Sequence, residues 1–269
     1  MAERILVLCY HAISDLSGDS ILAEYGVPPT VFERQLDYLF ARGFSFVSPD
    51  DLVGFLSRKT KVPERAVLLT FDDCYEELVD VARAILQPRD IRAIAFAVSG
   101  MASGTNEWDQ RIGARQLQLL DSTGLRELRE LGVEIGCHSR SHRCLPTLSD
   151  QELDEETRMA ADDIEGMGLP RPRFLAFPHG EHDVRSRIAV QRAGFTAAFG
   201  LSRKRVVPNS DPFALPRLEI LARDDEWRFR LKTHWPRMAP LLSPLPIHRR
   251  AAGFASTLVR KRLRPTGWN

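Results

Sequence analysis

Two spacings of apolar residues alternate along this chain. One is a short continuous run, the mark of a buried strand; the other places an apolar residue every three or four positions, the mark of an amphipathic helix. The strand-like runs are Ile5–Tyr10, Phe44–Val47, Ala66–Phe71, Ala93–Val98, Val133–Gly136, Phe174–Phe177, Ala197–Gly200 and Leu215–Leu221. Thr30-Val-Phe-Glu33 reads as a capping box opening a helix with Phe32, Leu36, Leu39 and Phe40 on one face, ended by Gly43. Ser48-Pro49-Asp50-Asp51 predicts another helix start, with proline at the first helical position. Further helices are predicted over Glu77–Leu86, stopped by Pro88, over Gly124–Leu131, stopped by Gly132, and over Val184–Ala193, stopped by Gly194. Ser149-Asp-Gln-Glu152 is a second capping box, whose helix fades at Gly166 and Gly168.

Apolar strands separated by helices predict a parallel sheet covered on its outer face, and their number suits a closed or nearly closed barrel over residues 1–222. In such folds the chemistry gathers where strands end, so candidate residues should directly follow the apolar runs. After Arg223 the alternation stops. Residues 223–269 are rich in Arg and Pro, with Lys and Arg exceeding Asp and Glu by 8. This extension reads as a solvated wrap around the barrel, or as a patch for anionic lipid or an acidic partner, which allows peripheral membrane contact.

The 269 residues suit one sizeable core, and the net charge of +1 gives the whole chain no electrostatic case for nucleic acid. The run Ile5–Cys9 is too short for a signal-peptide core, and no stretch reaches the roughly 20 apolar residues of a membrane helix. A cytoplasmic location is therefore expected. Cys9, Cys74, Cys137 and Cys144 show neither a C-x-x-C pair nor zinc-knuckle spacing, so free, packed thiols are the expectation.

Four groups sit at predicted strand ends: His11; Asp72 and Asp73; His138 and His142; and Pro178-His179-Gly180. Adjacent acids can divide two tasks, one holding a cation and the other accepting a proton, whereas both ionised without a cation repel. An Asp-Asp pair alone is commonplace; this chain has three others. His138-x-x-x-His142 changes its meaning, because two imidazoles four residues apart reach one point and, with one carboxylate, make a facial set with open positions for water and substrate. Trp108, in the stretch after Val98, is an aromatic that could stack on a bound ring or simply pack at the surface.

Thr70-Phe71-Asp72-Asp73, His138-Ser139-Arg140-Ser141-His142 and Phe177-Pro178-His179-Gly180 together resemble the first three motifs of the NodB-homology polysaccharide deacetylases, carbohydrate esterase family four, and the likeness runs from Leu8-Cys9-Tyr10-His11 to about Leu221. The resemblance implies a distorted (β/α)7 barrel. It implies Asp73, His138 and His142 as metal ligands and Asp72 as general base, with Zn²⁺ the first candidate cofactor and Co²⁺, Ni²⁺ or Fe²⁺ acceptable to the same donors. Tyr75, Trp108, Pro178 and His179 become the candidate substrate contacts, with a backbone N–H near Tyr75 helping to hold the oxyanion.

The chain departs from the family pattern in four places. Cys74 replaces the glycine that usually follows the acid pair. Ala176 stands where many members carry an arginine that orients the base; Arg217 or Arg173 could substitute, and Arg217 is preferred because the last strand of a barrel borders the first. A fourth, Asp-Trp motif is missing. So is the Leu-x-Ile-His motif that usually supplies the general acid, since Leu218-Glu219-Ile220 is followed by Leu221. His11 is the first candidate for that acid and His179 the second, with His234 less favoured.

Three functions follow. The first is a metal-dependent N-deacetylase acting on the N-acetyl amide of an amino sugar in an oligosaccharide, glycolipid or glycoconjugate intermediate, with a carbohydrate partner that could be lipid-linked. The second is a hydrolase of small formamides, ureides or cyclic amides. The third is a carbohydrate-binding barrel without catalysis.

Overall fold

The computed structural model describes residues 3–234. Its sheet contains β1 (Ile5–Tyr10), β2 (Ser45–Phe46), β3 (Ala66–Asp73), β4 (Ala93–Ala97), β5 (Val133–Cys137), β6 (Phe174–Ala176), β7 (Ala197–Phe199) and β8 (Leu218–Glu219). All pair in parallel, in the order β7-β6-β5-β4-β3-β1-β8, with β2 alongside the start of β3. The curled sheet is that of a distorted (β/α)7 barrel.

The barrel closes through one irregular segment. Leu215 bridges Phe199 in parallel, the Ser202 N–H donates to Arg217 O (2.8 Å), and Leu218 then pairs with Leu8 on β1. The regular strand expected over Leu215–Leu221 is therefore only two residues long. Pro216 has no N–H to give, and the segment changes partner from β7 to β1 midway.

The period-two pattern sorts two cores. Ile5, Val7, Leu68, Ile94, Phe96, Phe174 and Phe199 fill the barrel interior, plugged from below by Leu52 and Phe55. Leu6, Leu8, Val67, Leu69, Ala95, Ile135 and Leu175 face outward onto the helices. Those helices are α1 (Pro29–Ala41), α2 (Pro49–Leu56), α3 (Leu78–Val81), α4 (Glu107–Gln110), α5 (Ser122–Glu130), α6 (Asp150–Asp154), α7 (Ala160–Gly166), α8 (Val184–Arg192) and α9 (Glu226–His234). The capping boxes at Ser48/Asp51 and Ser149/Glu152 form. The one expected at Thr30 does not: α1 starts at Pro29, so Thr30 lies inside the first turn, and the rigid Pro28-Pro29 pair directs the entry that a cap would have made. Single π-helical stretches interrupt two helices, at Ala82–Leu86 after α3 and at Glu155–Met159 between α6 and α7.

The packed unit runs past residue 222. Phe229 of α9 is buried against Tyr38 of α1 (ring centroids 6.0 Å), and Lys232 is paired with the buried Asp224. The rest of the expected extension, 235–269, lies outside the described residues. No helix among the described residues is long and apolar enough to cross a membrane.

Candidate active site

The inward alternation of β3 runs Ala66, Leu68, Thr70, Asp72, which carries apolar residues at the barrel floor and polar ones at its upper end. Asp73 would point out among the helices, but its φ of +72° turns it back, and Cys74 (φ +55°) continues the turn. A left-handed residue here explains why glycine is usual after the acid pair and shows the strain that a cysteine accepts instead. Ser139, His142 and His179, in the loops after β5 and β6, are also left-handed, with φ of +63°, +57° and +60°.

These turns bring the carboxylate and both imidazoles together. Asp73 Oδ1 lies 3.6 Å from His138 Nε2 and 3.6 Å from His142 Nε2. That oxygen is buried and receives no hydrogen bond. The separations are too long for hydrogen bonds but suit three donors sharing one centre, since bonds of about 2.0–2.2 Å at tetrahedral angles set donors roughly 3.4 Å apart. His138 Nδ1 is 2.8 Å from the Ala176 carbonyl, which can only accept, so Nδ1 carries the proton and Nε2 presents its lone pair to Asp73. Burial lowers the pKa of His138 and favours the neutral, ligating form, while burial followed by the Asp72 charge raises that of Asp73. A cation would relieve that repulsion, so these residues fit a divalent metal.

Asp72 faces the barrel axis, where Arg217 meets it in a two-pronged pair: Nη1 to Oδ1 at 2.6 Å and Nη2 to Oδ2 at 2.8 Å. Arg217 is 1% exposed, donates to Thr70 Oγ1 and Gly200 O, and packs against the rings of both Phe96 and Phe199. Burial by itself would raise the Asp72 pKa; the charge and hydrogen bonds of Arg217 overcome it and hold the carboxyl well below the ordinary range. Arg173, the other candidate, is excluded by position. It precedes β6 at the opposite end of the barrel, paired with Glu134 and Asp50.

His11 and His179 flank this centre on different sides. Donor atoms of His11, Cys9 and Asp72 lie within 4.8 Å of one another, whereas the His179 ring is edge-on to His142 at 4.8 Å. His234 lies away from the site, bonded to Tyr38 on α1. Tyr75 lines the cleft and its phenol donates to Asp73. Trp108 also lines the cleft, with its ring stacked on His142 (4.4 Å, 22°). Pro178 is buried and lines no part of the cleft; it sets the turn that presents His179. Ile21, Leu22, Tyr25, Ile112 and Leu201 add apolar surface to the lining of this cleft, beside His179.

Two acids escaped the sequence reading. Glu156 is buried and accepts from the backbone N–H groups of Arg140 and Ser141, each at 2.9 Å, and from the Ser141 hydroxyl, so it clamps the loop between the two histidines. The signal was present: Leu153, Glu156, Thr157, Ala160 and Ile164 form one buried stripe, and a glutamate in such a stripe needs partners. Asp109, beside Trp108, is pushed up to about 6 by burial.

With this geometry in hand, comparison with known proteins defines the class. The polysaccharide deacetylase family model matches residues 59–198, and the chain belongs to that family of hydrolases. It is 27% identical to a poly-beta-1,6-N-acetyl-D-glucosamine N-deacetylase of Staphylococcus epidermidis over 82% of this chain and 76% of the relative, and 24% identical to its namesake in Staphylococcus aureus over 80% and 74%. Among solved structures the fold is similar to IcaB of Ammonifex degensii (TM-score 0.74, 22% identity, 88% of this chain and 98% of that one). It is also similar to the deacetylase PplD of Streptococcus pyogenes in complex with acetate (TM-score 0.72, 20% identity, 87% and 100%).

Proposed function

We propose that the protein is a metal-dependent N-deacetylase that hydrolyses the N-acetyl amide of a hexosamine within an oligosaccharide or glycoconjugate, lipid-linked substrates included, and that poly-N-acetylglucosamine is the first substrate to test. One observation carries the reading: an ionised carboxylate locked by Arg217 lies beside a carboxylate–diimidazole donor set on the floor of one cleft. The names of the staphylococcal relatives supply the substrate class.

Asp73, His138 and His142 would hold the cation. When bound, a divalent ion, Zn²⁺ first, supplies a Lewis acid for the amide carbonyl and acidifies water. Asp72 accepts a proton as the water oxygen bonds to the carbonyl carbon. Arg217 keeps both Asp72 oxygens oriented and charged. The C–N bond then breaks as the amine nitrogen receives a proton from His11, on the Asp72 side of the cleft, giving acetate and a free amino sugar. Tyr75 orients Asp73, Trp108 backs His142, and His179 borders the substrate's entry. We place the reaction in the cytoplasm, where the four unpaired thiols would stay reduced.

Purified protein supplied with zinc should release acetate and free amine together from N-acetylglucosamine oligomers. Chelation should stop release and added zinc restore it. Asp72→Asn should abolish release while binding zinc as tightly as wild type. Full turnover by that variant, or turnover of small formamides and ureides but no sugar, would overturn the assignment.

A further inference from the structure

Among the described residues, two groups of three donor side chains converge. One is Asp73, His138 and His142; the other is Cys9, His11 and Asp72, whose donor atoms lie within 4.8 Å of one another. The two groups share no residue, and the chemistry proposed above leaves Cys9 unused.

The second group follows from strand register. Side chains of a strand alternate between faces, so β1 sends Ile5, Val7 and Cys9 into the barrel, as β3 sends Leu68, Thr70 and Asp72. Cys9 pairs with Thr70 and Tyr10 with Phe71, so His11, the next residue, arrives level with Asp72. The Cys9 thiol donates to Asp72 Oδ2 at 3.4 Å. Bonds of about 2.3 Å to sulfur and 2.0–2.2 Å to oxygen at tetrahedral angles set two such donors roughly 3.5 Å apart, so the sulfur and the oxygen already stand at ligand spacing. Cys9 is fully buried, whereas His11 is half-buried and lines the cleft, edge-on to Tyr25. An ion would therefore enter through the cleft, past His11.

We infer that Cys9, His11 and Asp72 form a second, inhibitory cation site, selective for thiophilic divalent ions such as cadmium, or zinc in excess. Sulfur and nitrogen donors beside one carboxylate favour such ions over magnesium or calcium. On binding, the Cys9 S–H bond breaks, its proton leaves to solvent, and the sulfur takes the cation in place of a hydration water. Asp72 exchanges the thiol hydrogen bond for the cation. Arg217 holds the same carboxylate through both oxygens, and its positive charge repels a second cation, so this site is weaker than the Asp73–His138–His142 triad and fills after it. Once filled, it ties up the two residues to which proton transfer was assigned. That inhibition rests on the deacetylase reading, whereas the binding does not.

Cadmium added to metal-free, full-length protein tests the binding. Wild type should take up two equivalents, with the ultraviolet sulfur-to-cadmium charge-transfer band arriving with the second. Cys9→Ser should keep the first equivalent and lose the band, whereas Cys144→Ser, at the one cysteine that is not buried, should keep both. His11→Ala leaves the sulfur in place and should weaken the second equivalent at least about tenfold. His142→Ala should weaken the first equivalent and keep the band. With zinc, turnover of N-acetylglucosamine oligomers should peak at one equivalent and fall as more is added. Measured against its own one-zinc rate, Cys9→Ser should need at least about tenfold more zinc for half-inhibition. A band that survives Cys9→Ser, a wild type that binds one cadmium only, or a second zinc that leaves turnover untouched would each overturn the proposal. No turnover at any zinc level, with two cadmium ions bound and the band present, would instead overturn the deacetylase reading.

Discussion

Replacing Arg217 by alanine tests how the base is held. The substitution removes two charge-assisted hydrogen bonds to Asp72, one to Thr70 and one to Gly200, together with the packing against Phe96 and Phe199. It leaves a carboxylate that is 3% exposed without its counter-charge. Breaking one side of a buried pair typically costs about 3–5 kcal/mol. In a chain of this size each kcal/mol moves Tm by roughly 2–4 °C, so the melting point should fall by about 10 °C. Acetate release should fall at least about a hundredfold, because the stranded carboxyl takes up a proton and no longer serves as a base. The double variant Arg217→Met/Asp72→Asn, which removes both charges, should recover most of the lost stability and none of the activity. Thermal melts followed by circular dichroism, with acetate release measured in parallel, supply both readouts. A single variant melting within about 1 kcal/mol of wild type, or a double variant no better than the single, would refute the reasoning.

Glu156→Ala should loosen the loop between His138 and His142 and weaken zinc binding by about 10–100-fold, measured by competition with a chromogenic chelator. Trp108→Ala should also raise the zinc dissociation constant, by several-fold on the same assay, because its ring backs His142; an effect confined to KM for oligosaccharide would make it a sugar contact instead. Asp109 gives a pH test. Its folded pKa of about 6 lies above the ordinary 3.8, so its charge destabilises the fold at pH 7 and that burden lifts as pH falls from 6 towards 4. Asp109→Asn should therefore be more stable than wild type by about 2 kcal/mol at pH 7 and equal to it near pH 4, as read by urea denaturation.

The barrel was legible because its strands are uninterrupted apolar runs, and the polar residues that follow them stand out by contrast. Asp72, Asp73, His138 and His142 do meet at one point, as strand ends require. What stayed hidden depends on backbone turns and on packing between distant elements. Nothing local reveals that Asp73 and Cys74 turn left-handed, nor that the Cys9 thiol reaches Asp72 Oδ2 (3.4 Å) instead of merely filling space. Thr30 matched a capping pattern, but two prolines overrode it. Trp108 could be read as a sugar platform or as a packed aromatic, and only the folded loop shows His142 against its face. Arg217 could be placed near Asp72 because the run Leu215–Leu221 is the last strand of a barrel and borders the first, although only Leu218–Glu219 of that run forms regular strand.

The residue that secures Asp72 sits in the stretch where the barrel is sewn shut, bonded to β7 on one side and leading into β1 on the other. Loosening that closure and disarming the base are therefore a single event. A partly opened barrel would be inert, and hydrolytic power would return only when the last stave is home.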